Sequence, residues 1–403
     1  MIDTERGRHA PRTILSGASV VLPDRILHPG TVVIEDGRIA SVEPGSRPSG
    51  SDPGLIDCTR HFIVPGFIDV HVHGLEGADA LDGAGGVAAL AARLPRYGVT
   101  AFCPTSIACA PDPLREMLDA IRVARHGPSG ARVLPAHLES NFINPEYCGA
   151  QPVECLRLPR GAVADGRFTG DDILAVIHAA RGDVGIMTVA PELEGVIDLI
   201  PDLVAAGIYV SLGHSGASYE QALAGIEAGA TQATHLFNRM TPLGHRLPGL
   251  AAAVLESDRV TAEIICDGVH VHPAMLRVAV AAKGPDGIMA ITDGTAGSGL
   301  PVGTRTFIGD RPITIGDVAR LDDGTIAGST LTMDKAFRNL VRELRMTVLD
   351  AARCCATSPA DALGLAAVGR VCEGWIADLT VLDEQLQVRS TFVGGELVWP
   401  LRG

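Results

Sequence analysis

The residues of this chain best suited to chemistry are four histidines and two carboxylates: His71, His73, Glu139, His214, His235 and Asp293. His71 and His73 close the apolar run from Pro65 to His73, PGFIDVHVH. Side chains alternate along a strand, so both imidazoles leave one face and can chelate a single divalent ion. A histidine on a strand is more often a hydrogen-bonded core residue, so the pair needs companions. The other four residues also end short apolar segments: Glu139 in RVLPAHLE, His214 in IYVSLGHS, His235 in ATQATHLFN and Asp293 in GIMAITDG. Such nitrogen and oxygen donors suit zinc or iron, and also manganese or cobalt, with one or two ions held and Glu139 placed to bridge. A metal lowers the pKa of a coordinated water to about 7 and makes it a nucleophile, while an adjacent carboxylate, Asp293, serves as general base and then general acid. Hydrolysis of a C–N bond fits that division of labour. Asp293 as a helix N-cap would explain one residue and none of its companions.

These residues must be positioned by repeating elements. Eight short apolar segments alternate with Ala-rich helical stretches such as Gly86 to Tyr97, Pro113 to Arg125, Asp171 to Arg181, Leu193 to Ala206 and Tyr219 to Ala228. Eight βα units of this size predict an α/β fold, a (β/α)8 TIM-type barrel over residues 65–367, and all six residues fall on the C-terminal rim where barrel enzymes place their chemistry. Both chain ends read as β-structure, with Asp36-Gly37 fitting a type I′ hairpin turn. A small β-sandwich domain built from 1–64 and 368–403 is the expectation. His137 shares a strand face with Glu139, one layer deeper, and reads as a supporting residue rather than a ligand. His9, His28, His61, His126 and His178 read as surface or packing residues.

With 403 residues, 46% of them hydrophobic, the chain can bury a large core. Its formal charge of −14 argues against a nucleic-acid surface. The opening MIDTERGRHAPR has no apolar signal core and no run is long enough to span a bilayer, which predicts a soluble cytoplasmic protein. The nine cysteines, without Cys-x-x-Cys spacing, read as reduced thiols. Only two lysines occur, Lys283 and Lys335, so lysine chemistry has few places to occur.

The segments PAHLES, SLGHSGASYEQA, GATQATHLFNRMTPLGHRLPG, EIICDGVHVHP, ITDGTAGSG and GSTLTMDKAFRNLV resemble the N-acetylglucosamine-6-phosphate deacetylases of the amidohydrolase superfamily through nearly the whole chain. The resemblance implies metal-assisted hydrolysis of N-acetylglucosamine 6-phosphate to glucosamine 6-phosphate and acetate. It assigns Glu139, His214 and His235 to the principal metal, His71 and His73 to a second, and acid and base duty to Asp293. Asn238, His270, Ala150, Gln151 and the segment Ile326, Ala327, Gly328 match sugar-contacting positions. His245 and Arg246 match phosphate binders, reaching in from the neighbouring subunit of a homodimer; an arginine fork suits phosphate oxygens.

The chain departs from the family's pattern at Ser140-Asn141 after Glu139, at Arg239 after Asn238, and at Leu247 after Arg246. The first changes the backbone expected beside the acetyl group, and the last removes a carboxylate near the phosphate binder. Arg239 reads as a surface arginine in preference to an added cation in the pocket. Cys148, in the loop after the third strand, reads as filler more readily than as a substrate contact. N-acetylgalactosamine 6-phosphate or another N-acyl sugar is the nearest alternative substrate. A cyclic amidase is disfavoured because no lysine ends a strand to bridge two metals, and a non-catalytic scaffold because every acid, base and ligand is retained.

Overall fold

In the computed structural model, residues 12–399 are described apart from 49, 51–53, 126, 128–129 and 162–166. His9, His126 and most of the opening segment therefore lie outside the described residues.

Eight parallel strands follow one another around a barrel: β1 (Phe67–Val72), β2 (Val99–Ser106), β3 (Ala136–Glu139), β4 (Val184–Val189), β5 (Tyr209–Leu212), β6 (Gln232–Ala233), β7 (Thr261–Ile265) and β8 (Ile288–Ile291). The ladder runs continuously from β1 to β8. Between β8 and β1 closure comes from single bonds just past the strand ends, Asp293 N to His71 O at 2.9 Å and His73 N to Gly294 O at 2.8 Å. The strands are buried on both faces, as parallel sheets require, and read as apolar runs for that reason.

Among the described residues, seven helices cover the outside: α1 (Gly83–Arg93), α2 (Pro111–Ala124), α3 (Gly170–Ala179), α4 (Val196–Ala205), α5 (Tyr219–Ala228), α6 (Gly249–Glu256) and α7 (Pro273–Lys283). An eighth, α8 (Met333–Arg342), follows β8 after an excursion and stacks its Phe337 on Phe67 of β1, ring centroids 5.1 Å apart. Starts are set by side-chain caps: Thr169 with Asp172 and Ser218 with Gln221 form capping boxes on α3 and α5. Pro95 ends α1 early, and Leu94–Tyr97 continues as a 3-10 turn instead of the single helix expected to Tyr97.

That excursion is a three-stranded antiparallel flap, Arg305–Ile308, Arg311–Ile315 and Ala319–Leu321, which the alternation of strands and helices did not indicate. It packs Ile308, Ile313 and Ile315 against Ile107 and roofs one side of the rim.

Both chain ends join in one eight-stranded sheet, and the Asp36-Gly37 hairpin is formed with φ of 49° and 76°. The sheet curls back on itself, with Arg38 bridged to Ile376, around a core of Leu15, Val32, Ile34, Ile63, Val381 and Phe392. It is fastened to the barrel by the buried pair Arg132 and Asp378, Nε to Oδ2 2.9 Å.

Candidate metal centre

The third strand stops at Glu139, whose two carboxylate oxygens face two groups of imidazoles. Oε1 lies 2.7 Å from His214 Nε2 and 2.9 Å from His235 Nε2, and these two nitrogens are 3.1 Å apart. Oε2 lies 3.5 Å from His73 Nε2, which is 3.3 Å from His71 Nε2. Asp293 Oδ1 completes the second group, 3.2 Å from His73 Nε2 and 3.5 Å from His71 Nε2. All six residues are buried. The expected convergence on one rim is therefore present, and Glu139 stands between the two groups as a bridge would.

The outer nitrogens show which way the rings are held. His214 Nδ1 faces the Tyr147 carbonyl at 2.8 Å, His73 Nδ1 the Thr105 carbonyl at 3.2 Å and His71 Nδ1 the Glu263 carboxylate at 2.9 Å. An oxygen without a hydrogen can only accept, so Nδ1 carries the proton and each Nε2 offers a lone pair to the centre, the tautomer a metal needs. Burial pushes the His71 imidazole down, but Glu263, Asp293 and Glu139 outweigh it and lift the ring to about 10. Burial would also raise Glu139, yet the surrounding imidazoles hold it well below its ordinary range. The cluster thus demands positive charge at its middle. Converging lone pairs, a bridging carboxylate and that charge demand fit one or two divalent ions held by these residues.

Backbone strain helps to aim three of the candidate residues. His214, His235 and Asp293 have φ of 47°, 28° and 49°, a region that costs a non-glycine residue on the order of 1 kcal/mol or more and persists where surroundings over-determine it. Strand β6 ends two residues before His235, and this turn replaces the longer strand expected there. Glu192, which follows β4, accepts from Asn144 Nδ2, Ser215 Oγ and Gly216 N at 2.8, 2.7 and 2.6 Å, pinning the loops around His214.

His137 occupies the deeper layer as expected. Its Nδ1 faces the Val70 carbonyl and its Nε2 the Thr188 hydroxyl, both at 2.9 Å, and burial with the neighbouring His71 lowers it to about 4, so the ring stays neutral. Two supporting carboxylates were not anticipated. Glu263 of β7 accepts from His71 Nδ1 and, at 3.2 Å, from His235 N; Asp69 of β1 accepts from Thr292 Oγ1 at 2.6 Å. The available signal was an acidic residue inside an otherwise apolar, buried strand, TAEII and FIDVHV, where a charge needs a partner.

A cavity of about 450 Å³ opens above the cluster, within the usual size range of small-molecule sites. Asn238, His270, Ala150, Gln151, Ile326 and Gly328 line it. Gln151 also donates from Nε2 to Glu139 while its Oε1 accepts from Ala108 N at 2.7 Å, so it braces the bridge as well as facing the cavity. Ala327 does not line it: alternation turns this side chain away, into the apolar cluster of the flap. His245 and Arg246 are exposed and lie outside this chain's cavity. Ser140 and Asn141 are buried and bond backbone carbonyls, Ser140 Oγ to Thr188 O at 2.5 Å and Asn141 Nδ2 to Cys109 O and Cys155 O at 2.8 and 2.7 Å, so this departure is absorbed in the loop. Cys148 is half-buried beside the cavity without lining it. Arg239, preferred as a surface residue, is exposed and also lines the cavity mouth, because its left-handed backbone conformation, φ 47°, belongs to the turn that bears Asn238.

The amidohydrolase family matches residues 62–398. The N-acetylglucosamine-6-phosphate deacetylase of Danio rerio is 38% identical over 358 residues, covering 85% of this chain and 86% of its own length. The chain belongs to this family of amidohydrolases. A further member, the N-acetylgalactosamine-6-phosphate deacetylase of Escherichia coli O157:H7, is 34% identical over 368 residues, covering 90% of this chain and 93% of its own length. The structure of the Mycobacterium smegmatis N-acetyl-D-glucosamine-6-phosphate deacetylase, a mutant in complex with N-acetyl-D-glucosamine-6-phosphate, superposes with a TM-score of 0.85 at 33% identity, covering 96% of this chain and 99% of that one. The family is divalent-metal dependent, in keeping with the two donor groups around Glu139.

Proposed function

We propose that this protein is a metal-dependent hydrolase that removes the acetyl group from the 2-amino nitrogen of N-acetylglucosamine 6-phosphate, releasing acetate. The observation that carries the reading is Glu139 between two imidazole pairs with Asp293 beside the second. Glu139, His214 and His235 would hold one ion, and His71, His73 and Glu139 a second, zinc or iron suiting the donors best. An ion held there would supply a Lewis acid able to polarise the acetyl carbonyl and to make water a nucleophile at neutral pH.

The chain's own residues do the rest. Asp293 faces the cavity floor with its carboxylate held ionised, because His73 and His71 outweigh the effect of burial. It takes a proton from the attacking water and returns it to the amine nitrogen as the C–N bond breaks. Asn238 and His270 face the sugar side of the cavity, and His270 Nδ1 is fixed by Asp267 Oδ2 at 2.7 Å. The galactosamine isomer remains the second reading, favoured by the Escherichia coli relative.

The same reading includes a homodimer in which His245 and Arg246, exposed and away from this chain's cavity, serve the neighbour's phosphate. A cytoplasmic enzyme accords with nine free cysteines; among the described residues no helix is long and apolar enough to cross a membrane.

Acetate release from N-acetylglucosamine 6-phosphate and its galactosamine isomer tests the assignment. Asp293→Asn should slow turnover by about 10²–10⁴-fold with metal retained. Metal-replete protein that is inert on both sugars yet hydrolyses another amide would overturn the substrate.

A further inference from the structure

We propose that Arg239 is a specificity-determining residue that grips the phosphate of the substrate from within this chain's own cavity; the inference rests on the substrate class proposed above. Among the described residues lining the cavity, Arg239 is the one lysine or arginine, whereas Glu139, Glu146 and Asp293 contribute carboxylates. A phosphate monoester carries close to two negative charges, and in a chain of net charge −14 a cation at the mouth of the cavity, where Glu146 is the carboxylate outside the metal cluster, favours its entry.

The arginine is held in place without being neutralised. Its guanidinium makes no ion pair or hydrogen bond with the described residues, so its donor fork is free for a ligand. Its stem lies across Gly149: a Cβ there would fall 2.9 Å from Arg239 Nε and 3.2 and 3.3 Å from Cγ and Cδ, and Gly149 has φ 62°. Glycine is what permits this approach. The Arg239 carbonyl accepts from Ser215 N at 3.0 Å, tying its backbone to the loop that carries His214. Two residues beyond Gly149, Gln151 braces Glu139. The cation is thus fastened to the same loops that hold the metal ligands, at a fixed place relative to the reacting centre. Arginine's planar fork suits phosphate oxygens, and its preorganisation limits the entropy lost on binding.

The test titrates metal-loaded wild type, Arg239→Ala and Arg239→Lys calorimetrically with glucosamine 6-phosphate and with glucosamine, alongside kinetics on N-acetylglucosamine 6-phosphate and a metal count for each protein. The alanine variant should bind glucosamine 6-phosphate about tenfold to a hundredfold more weakly, as loss of a charge-assisted hydrogen bond would give, and raise KM far more than it lowers kcat. Lysine should restore part of the affinity, and metal content should match wild type. Unchanged affinity for glucosamine 6-phosphate in Arg239→Ala overturns the inference, as does an equal loss for both sugars or a loss of metal that lysine does not repair. Arg239-dependent binding of glucosamine 6-phosphate by a wild type that releases no acetate would overturn the proposed reaction and leave the phosphate contact standing.

Discussion

The two donor groups that share Glu139 are built by different means. His214 and His235 lie just beyond β5 and β6 on strained backbone, with His214 steadied by a neutral carbonyl and His235 Nδ1 left without a hydrogen-bond partner among the described residues. His71 and His73 lie at the end of β1, His71 within a register irregularity between Asp69 and Val72, and their group is surrounded by charge: Glu263 behind His71, Asp293 in front of both rings. Both imidazoles of one group are aimed by strained backbone, whereas those of the other are held among buried carboxylates, of which Asp293 itself sits on strained backbone. The first should therefore keep its shape when a neighbouring charge is removed, and the second should not.

The most severe break in that contrast is the shared residue. Glu139→Ala should empty both groups, so that metal analysis finds almost none bound and acetate release falls to background. Retention of one full equivalent would mean that Glu139 is no bridge. Next in size, His71→Gln with His73→Asn should remove about one equivalent of metal and leave the His214 and His235 group loaded. Loss of all metal from that double variant would show that the groups fill only together. The smallest and sharpest test is Glu263→Gln, which keeps the volume and deletes the buried charge behind His71. Competition with a chelator should show metal at the His71 and His73 group weakened about 10–100-fold and the other group little changed. Equal weakening at both would mean that the contact from Glu263 to His235 N matters as much as the one to His71.

The barrel and its candidate site were legible in the sequence because parallel barrel strands are short, apolar and followed here by a histidine or a carboxylate. All eight strands and the placement of His71, His73, Glu139, His214, His235 and Asp293 at their ends could be read from that pattern. Local chemistry was equally readable: Asp36-Gly37 has the positive φ values its hairpin demands. The three-stranded flap was not, since its short, partly exposed strands break no pattern strongly enough to stand out from a long loop.

What the tertiary structure alone decided is how residues far apart in the chain face one another. Gln151 was expected to touch sugar and also braces Glu139; Ser140 and Asn141 looked like changes to the pocket and instead bond the loop's own backbone. Glu263 stands 192 residues from His71, yet holds its ring. Arg239 is a surface residue by exposure and a cavity residue by position. The order of residue types along the chain marked the candidate ligands, because each sits within a few residues of a local signal. The direction in which a side chain points, and the charge it meets there, depended on closure of the barrel, which brings together groups that no sequence spacing relates.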